Sequence, residues 1–188
     1  MRYVGMVAAL ALVGVSGAWS ADTAFEVLEG RVTFSAPDSW RKGAHLEEGS
    51  SETYGFQVPN PADMESARPT NVSVTSEILE DEPDIKSYGS GKLLRGNLPG
   101  TVLVAETEHG VNGRGILQRG LIEGTTYILM HQVVRSGTVY VHVKAAYPVL
   151  GKNTKAWEEA LRSDVNRLFF RVRIDGKDPF AEAADPSP

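Results

Sequence analysis

Residues 125–148 read TTYILMHQVVRSGTVYVHVKAAYP, and this stretch decides the fold. Val, Ile, Tyr and Thr dominate it, and their branched or flat side chains suit a pleated backbone. Ser136-Gly137 interrupts the run with a turn pair, and Pro148 closes it. The expectation is a β-hairpin with strands over 125–135 and 138–147. Successive side chains alternate, so the hairpin has two faces. One carries Ile128, Met130, Val134, Val139, Val141 and Val143, a core face interrupted only by Gln132. The other carries Tyr127, Leu129, His131, Arg135, Tyr140, His142, Lys144 and Ala146. A two-residue turn at Ser136-Gly137 sets Val133 opposite Tyr140, His131 opposite His142 and Leu129 opposite Lys144.

The same logic extends upstream. Ile116–Ile122 reads as a strand joined to the hairpin by Glu123-Gly124, and Thr101–Glu106 is a β-rich run before the turn at Gly110–Gly113. Asn71–Leu79 alternates, with Val72, Val74, Ser76 and Ile78 on one face. Tyr54–Val58 is a short strand ended by Pro59, and Pro59–Pro69 reads as a loop. Phe25–Leu28 and Arg31–Phe34 flank the turn pair Glu29-Gly30, and Trp40 follows the proline turn at Pro37. Glu80–Asp84 is an acidic run without the acid ladder of a calcium loop, so it reads as a solvated helix entrance. Gly89-Ser90-Gly91-Lys92 lacks the spacing of a phosphate loop and reads as a flexible turn. Glycines at 89, 91, 96 and 100 argue against a long helix there.

Downstream, Asn153-Thr154 offers a cap. Trp157, Ala160, Leu161, Val165 and Leu168 then fall on one helical face. Phe169–Ile174 switches to period two, with Phe170, Val172 and Ile174 opposite Arg171 and Arg173. The Ala-, Asp- and Pro-rich residues 177–188 are expected to be a disordered tail.

The chain has 188 residues and no cysteine, which excludes disulfide frameworks, thiolate metal sites and thiol nucleophiles. Its formal net charge of −5 argues against nucleic acid as a partner. Arg2, the apolar run Val4–Val15 and Ala18-Trp19-Ser20 make residues 1–20 an expected signal peptide, cleaved before Ala21. The apolar run is about 12 residues, too short to span a bilayer, so no stable membrane anchor is expected. The expected organisation is a signal peptide over 1–20, one domain over 21–176 and the tail over 177–188. The expected address is the periplasm, or secretion from a bacterial cell.

The order of these elements resembles a known family. It comprises an N-terminal hairpin, an aromatic after a proline turn (FSAPDSW), a valine-rich strand (NVSVTSEIL), an expected central helix and a three-stranded meander (GILQRGLI, TYILMHQVV, TVYVHVKAAYP). A Trp-anchored last helix then runs into a short strand (WEEALRSDVNRLFFRVRI). This layout is similar to the PsbP-like fold, shared by an extrinsic photosystem subunit, a yeast Ran-binding import factor and bacterial exported proteins. The resemblance covers about residues 25–175. It implies an α+β class: an antiparallel β-sheet flanked by helices, in an α/β/α sandwich. It implies members that are mostly non-enzymatic, such as assembly factors, ligand or lipid binders and immunity proteins. It carries over no functional residues, because the family has no shared site motif.

The residues themselves offer one candidate site. Tyr127, His131, Arg135, Tyr140, His142 and Lys144 share a basic, aromatic face in an otherwise acidic protein. Such a face suits an anionic ligand or an acidic partner. Arg119, Arg171 and Arg173 are candidates to extend it. An anion bound there would gain from imidazole protonation near pH 6.5. Two opposed imidazoles need a third ligand to hold a metal, and the hairpin contains no acid, so no metal and no cofactor is assigned. Gly-x-Ser-x-Gly and His-Glu-x-x-His are absent, so no catalytic residue is assigned either. The expected function is an exported, non-catalytic binding or assembly module, with inhibitor or immunity-type roles included. The alternative is a periplasmic carrier of a small amphipathic or lipid-like ligand, which requires a cavity of roughly 300–1,000 Å³.

Overall fold

A computed structural model describes residues 21–60, 69–88, 101–150 and 153–181. The expected signal peptide, most of the 59–69 loop and the glycine-rich stretch after Tyr88 lie outside the described residues.

The long hairpin is present as β8 (Thr125–Ser136) and β9 (Val139–Pro148). Its two-residue turn is Gly137-Thr138, one position later than the sequence suggests, with Gly137 at φ +54°. A glycine at the first central position provides the left-handed conformation that twisted strands need in a tight turn. The register therefore moves by two residues: Arg135 faces Tyr140, Val133 faces His142 and His131 faces Lys144. An even shift leaves every side chain on its expected face, because the strand period is two.

The hairpin sits inside a seven-stranded antiparallel sheet. The others are β3 (Arg41–Glu48), β4 (Ser51–Val58), β5 (Thr70–Ile78), β6 (Val102–Glu108) and β7 (Gly113–Ile122). The strand order is β3-β4-β5-β9-β8-β7-β6. A second sheet has β2 (Val32–Pro37) between β1 (Asp22–Val27) and β10 (Arg173–Ile174). The β7–β8 turn places both Glu123 (φ +46°) and Gly124 (φ +80°) in the left-handed region, as a type I′ hairpin requires. The class is α+β, an antiparallel sheet flanked by helices.

Helix α2 (Lys155–Phe170) and the small sheet cover one face of the large sheet. Thr154 caps the helix by accepting a 3.2 Å bond from the Trp157 backbone N–H. Trp157 also donates its indole N–H to Pro59 O at 3.1 Å, tying the helix start to the end of β4. Leu161, Val165, Leu168 and Phe169 are buried against Val72, Val74, Met130, Val134, Val141 and Val143. Phe25, Phe34 and Phe56 close the layer beneath the small sheet, with Phe25 and Phe34 stacked at 5.1 Å. Trp40 is buried after the proline turn, its N–H bonded to Pro37 O at 2.9 Å.

Three details differ from the sequence reading. The helix continues through Phe169 and Phe170. It ends at Arg171, whose N–H reaches Leu168 O and Phe169 O, so period two begins only with β10. Phe170 is consequently exposed, and Phe169 takes the inward place. Residues 178–181 fold back instead of starting the tail: Phe180 packs 5.1 Å from Phe169 and Phe170, and Asn112 donates to Pro179 O at 3.3 Å. Residues 182–188 lie outside the described residues. Finally, β3 has no counterpart in the sequence reading. All eight of its residues are exposed, so an edge strand forms there without an apolar alternation to announce it.

The opposite face of the large sheet receives residues 79–88. Here α1 is a single turn (Ile85–Tyr88), initiated by Asp84, whose carboxylate accepts the Lys86 N–H at 2.8 Å and the Ser87 N–H at 2.9 Å. Those bonds hold the Asp84 carboxyl below its ordinary range, led by the bond from the Ser87 hydroxyl. Ile85 and Tyr88 pack on Ile116, Val133 and Tyr140, forming a second, smaller core.

Candidate binding face

Tyr127, His131, Arg135, Tyr140, His142 and Lys144 share one face of β8 and β9, but they divide by depth. Tyr127, His131 and Tyr140 are buried, whereas Arg135, His142 and Lys144 are half-buried. The strand alternation puts them together, and residues 79–88 remove part of the face from water.

Tyr140 is fully covered. Its ring stacks on Tyr88 at 4.8 Å, and its hydroxyl donates to the Pro83 carbonyl. Arg135 donates to the same hydroxyl at 3.3 Å and to Pro83 O at 3.5 Å. Tyr88 donates its own hydroxyl to Glu77, a buried carboxylate opposite Tyr140 in the ladder. Burial and the Glu77 carboxylate push the Tyr88 phenol far up, so it stays protonated and remains a donor.

The two histidines meet diagonally. His131 Nδ1 lies 3.1 Å from His142 Nε2, and the rings stack with centroids 5.3 Å apart. One of the two nitrogens must carry the shared proton and the other a lone pair, so both imidazoles cannot be fully protonated in this arrangement. Burial, aided by the Lys144 charge, lowers the His131 pKa to about 4. His131 therefore does not gain charge near pH 6.5, contrary to the sequence expectation. His131 Nε2 is buried without a hydrogen-bond partner among the described residues.

Two cations of the face have no carboxylate within ion-pair distance among the described residues: Arg135 and Lys144. Arg135 lines a cavity of about 550 Å³ between α1 and the β6–β7 connection. Ile85 and Val111 give this cavity apolar wall, while Lys86, Arg114 and Arg135 give it positive charge. Asp84 and Glu108 bring negative charge to the same wall, and Lys86 pairs with Glu108 at 3.2 Å. Arg114 pairs with Glu106.

The proposed extensions of the face separate. Arg119 is exposed and pairs in register with Ile128, which places it on the opposite side of the sheet. Arg171 binds Asp22 at 2.8 Å, and Arg173 binds the carbonyls of Phe170 and Val172, both in the other layer. Arg114 is the cation that the sequence reading missed. It lies two positions before Ile116, and extending the strand alternation by one step would have found it.

No family model matches the chain, and no curated protein matches it significantly in sequence. Solved structures do match it. The Ran-binding protein Mog1p of Saccharomyces cerevisiae aligns over 83% of this chain and 96% of its own, with a TM-score of 0.58 and 13% identity. Cyanobacterial PsbP (CyanoP) of Synechocystis aligns over 90% of this chain and 99% of its own, with a TM-score of 0.55 and 8% identity. At these identities the likeness is one of fold, and the chain has the PsbP/Mog1-like fold.

Proposed function

We propose that this chain is an exported, non-catalytic binding module that recognises an anionic partner through the Arg135 side of the hairpin face. The observation that carries this reading is the pair of half-buried cations, Arg135 and Lys144, without carboxylate partners among the described residues. Asp84 lies on the same cavity wall and feels the Arg135 charge, but not at ion-pair distance, so a half-buried cation there still favours an incoming anion. Arg135 also sits beside apolar wall in a cavity, so the occupant pairs a carboxylate or similar anion with an apolar group. In this reading Arg135, His142 and Lys144 make contact. Tyr127, His131 and Tyr140 support them from beneath. The Ran-binding activity in the name of Mog1p supports protein recognition as a use of this fold. Export rests on the signal-like residues 1–20, and N-terminal sequencing of periplasmic protein checks it: the chain is expected to begin near Ala21.

A second reading is favoured by the size of the same cavity. About 550 Å³ falls within the range of small-molecule sites. There the occupant is a small amphipathic anion and the module is a carrier. Native mass spectrometry of the exported protein separates the two, since a carrier retains a small molecule and an assembly module a protein. The shared test is the Arg135→Ala/Lys144→Ala double variant. Whatever is retained should be lost at least tenfold, with binding to wild type falling as salt rises. Unchanged affinity and salt slope in a variant with normal thermal unfolding would refute this face as the site.

A further inference from the structure

We propose that His45, Glu47 and Glu52, on the β3–β4 hairpin, form a binding site for a divalent metal ion, zinc in particular. These residues lie away from the hairpin face described above, and nothing in the β8–β9 argument requires them.

The geometry is near that of a coordination shell. His45 Nε2 lies 2.8 Å from Glu52 Oε1 and 3.5 Å from Glu47 Oε1, and the three ligand atoms fall within 4.8 Å of one another. Zinc takes imidazole nitrogen and carboxylate oxygen at about 2.0–2.2 Å in a tetrahedron, which sets ligand atoms about 3.3 Å apart. The ion requires the exposed Glu47 side chain to close slightly and the His45–Glu52 contact to open by about 0.5 Å, with the proton of that hydrogen bond released to water. A nitrogen and two carboxylates suit this borderline cation, with water completing the tetrahedron.

Independent features point to a cation there. Glu47 and Glu52 are directly opposed in the β3–β4 ladder. Like charges so placed destabilise a strand pair. Neither is paired with a lysine or arginine among the described residues: Lys42 lies instead over the rings of Phe25 and Tyr54. The ligands are also positioned from behind. Glu52 is largely covered, and its Oε2 accepts the Leu28 N–H at 2.6 Å, leaving Oε1 to point at His45. The His45 ring stacks on Tyr54 with centroids 4.0 Å apart and planes 15° from parallel. Such outer contacts orient metal ligands and raise affinity. Glu47 and Glu52 also line an open pocket of about 410 Å³ with Ser50 and Ser51, room for a metal-bound water or a further ligand.

A bound ion would change the character of this edge. It would join β3 to β4 across their like-charged pair, and through Glu52 it would brace Leu28 in the β1–β2 turn. The exposed edge of the large sheet would then be clamped to the small sheet.

The test is equilibrium dialysis of the chelator-treated mature protein against zinc chloride alone. Thermal unfolding is measured with and without the ion. One zinc per chain is expected, with a raised unfolding temperature, because an ion that binds only the folded state stabilises it. His45→Ala and Glu52→Gln should each weaken binding at least tenfold and abolish the thermal shift. Glu47→Gln alters a side chain exposed to water, so its fold is safe, and it too should weaken binding at least tenfold. No zinc retained by wild type, or undiminished retention by Glu47→Gln and His45→Ala, would overturn the proposal. So would loss of zinc in His142→Gln with His45→Ala unaffected, because that result would place the ion at the His131–His142 pair.

Discussion

The two faces of the seven-stranded sheet are both buried at their centre, yet they are buried by different chemistry. Toward α2 the sheet offers Val72, Val74, Met130, Val134, Val141 and Val143, side chains that need only shape complementarity. Toward α1 it offers Tyr140, His131, Val133 and Glu77, three of which carry polar groups that must find partners. Tyr140 finds Pro83 O, Glu77 finds the Tyr88 hydroxyl, and His131 finds His142 with one nitrogen only. The α2 face is secured mainly by area, with one directed bond from Gln132 to Asn166 of the helix, and the α1 face by a small number of directed bonds. Directed bonds hold a thin cover in one position, and they leave charge at its rim. That is where Arg135 and Lys144 lie.

The largest expected effect tests the α2 face. Leu161→Ala removes a fully buried side chain between helix and sheet, and should cost about 2–5 kcal/mol through lost transfer energy and the cavity left behind. Urea unfolding measures it. A loss below about 0.5 kcal/mol, the size of an ordinary surface substitution, would break the comparison by showing that α2 contributes little to this core.

The next effect belongs to the α1 face and is driven by pH. The unfolded chain protonates His131 near its ordinary 6.5, whereas the folded chain does so only near 4. Between those values the unfolded state binds more protons, so stability should be complete above about pH 6.5 and fall as pH drops toward 4. The full loss is about 3 kcal/mol at 1.36 kcal/mol per pH unit. Burial also lowers the His109 pKa, so a smaller slope of the same sign should remain when His131 is replaced. Urea midpoints at pH 7, 6 and 5 for wild type and His131→Gln check this. Identical slopes in the two proteins would remove His131 from the account.

The smallest effect isolates one directed bond. Tyr140→Phe keeps the stack on Tyr88 and deletes the donor to Pro83 O. A net hydrogen bond is worth about 0.5–1.5 kcal/mol, and the loss should fall there. Hydrogen exchange in residues 79–88 should quicken at the same time. Unchanged exchange would mean that packing, not the hydroxyl, seats this segment.

Much of the architecture is legible in the sequence, because it rests on local periodicity. Period two across 125–147 assigned every side chain of the hairpin to a face, and that assignment survived a two-residue change of register. A cap followed by apolar residues at helical spacing located α2. Its end was misplaced because Phe169 and Phe170 continue the helix while RVRI already suggests a strand. Strand β3 was invisible because an edge strand with both faces in water carries no alternation.

The candidate sites were legible only in part. Alternation grouped Tyr127, His131, Arg135, Tyr140, His142 and Lys144, but it is blind to whether the face they share is wet. Burial of Tyr140 depends on Pro83 and Tyr88, more than fifty positions upstream, and the depressed His131 pKa follows from burial and from Lys144 in the opposing strand. The approach of His45 to Glu52 depends likewise on the pairing of β3 with β4 and on Leu28 from another sheet. The sequence by itself determined which side chains lie together along each strand and helix, since backbone geometry sets those periods within a few residues. Tertiary structure decided which residues face each other, which are covered and which charges lack a partner, since those depend on distant segments meeting in space.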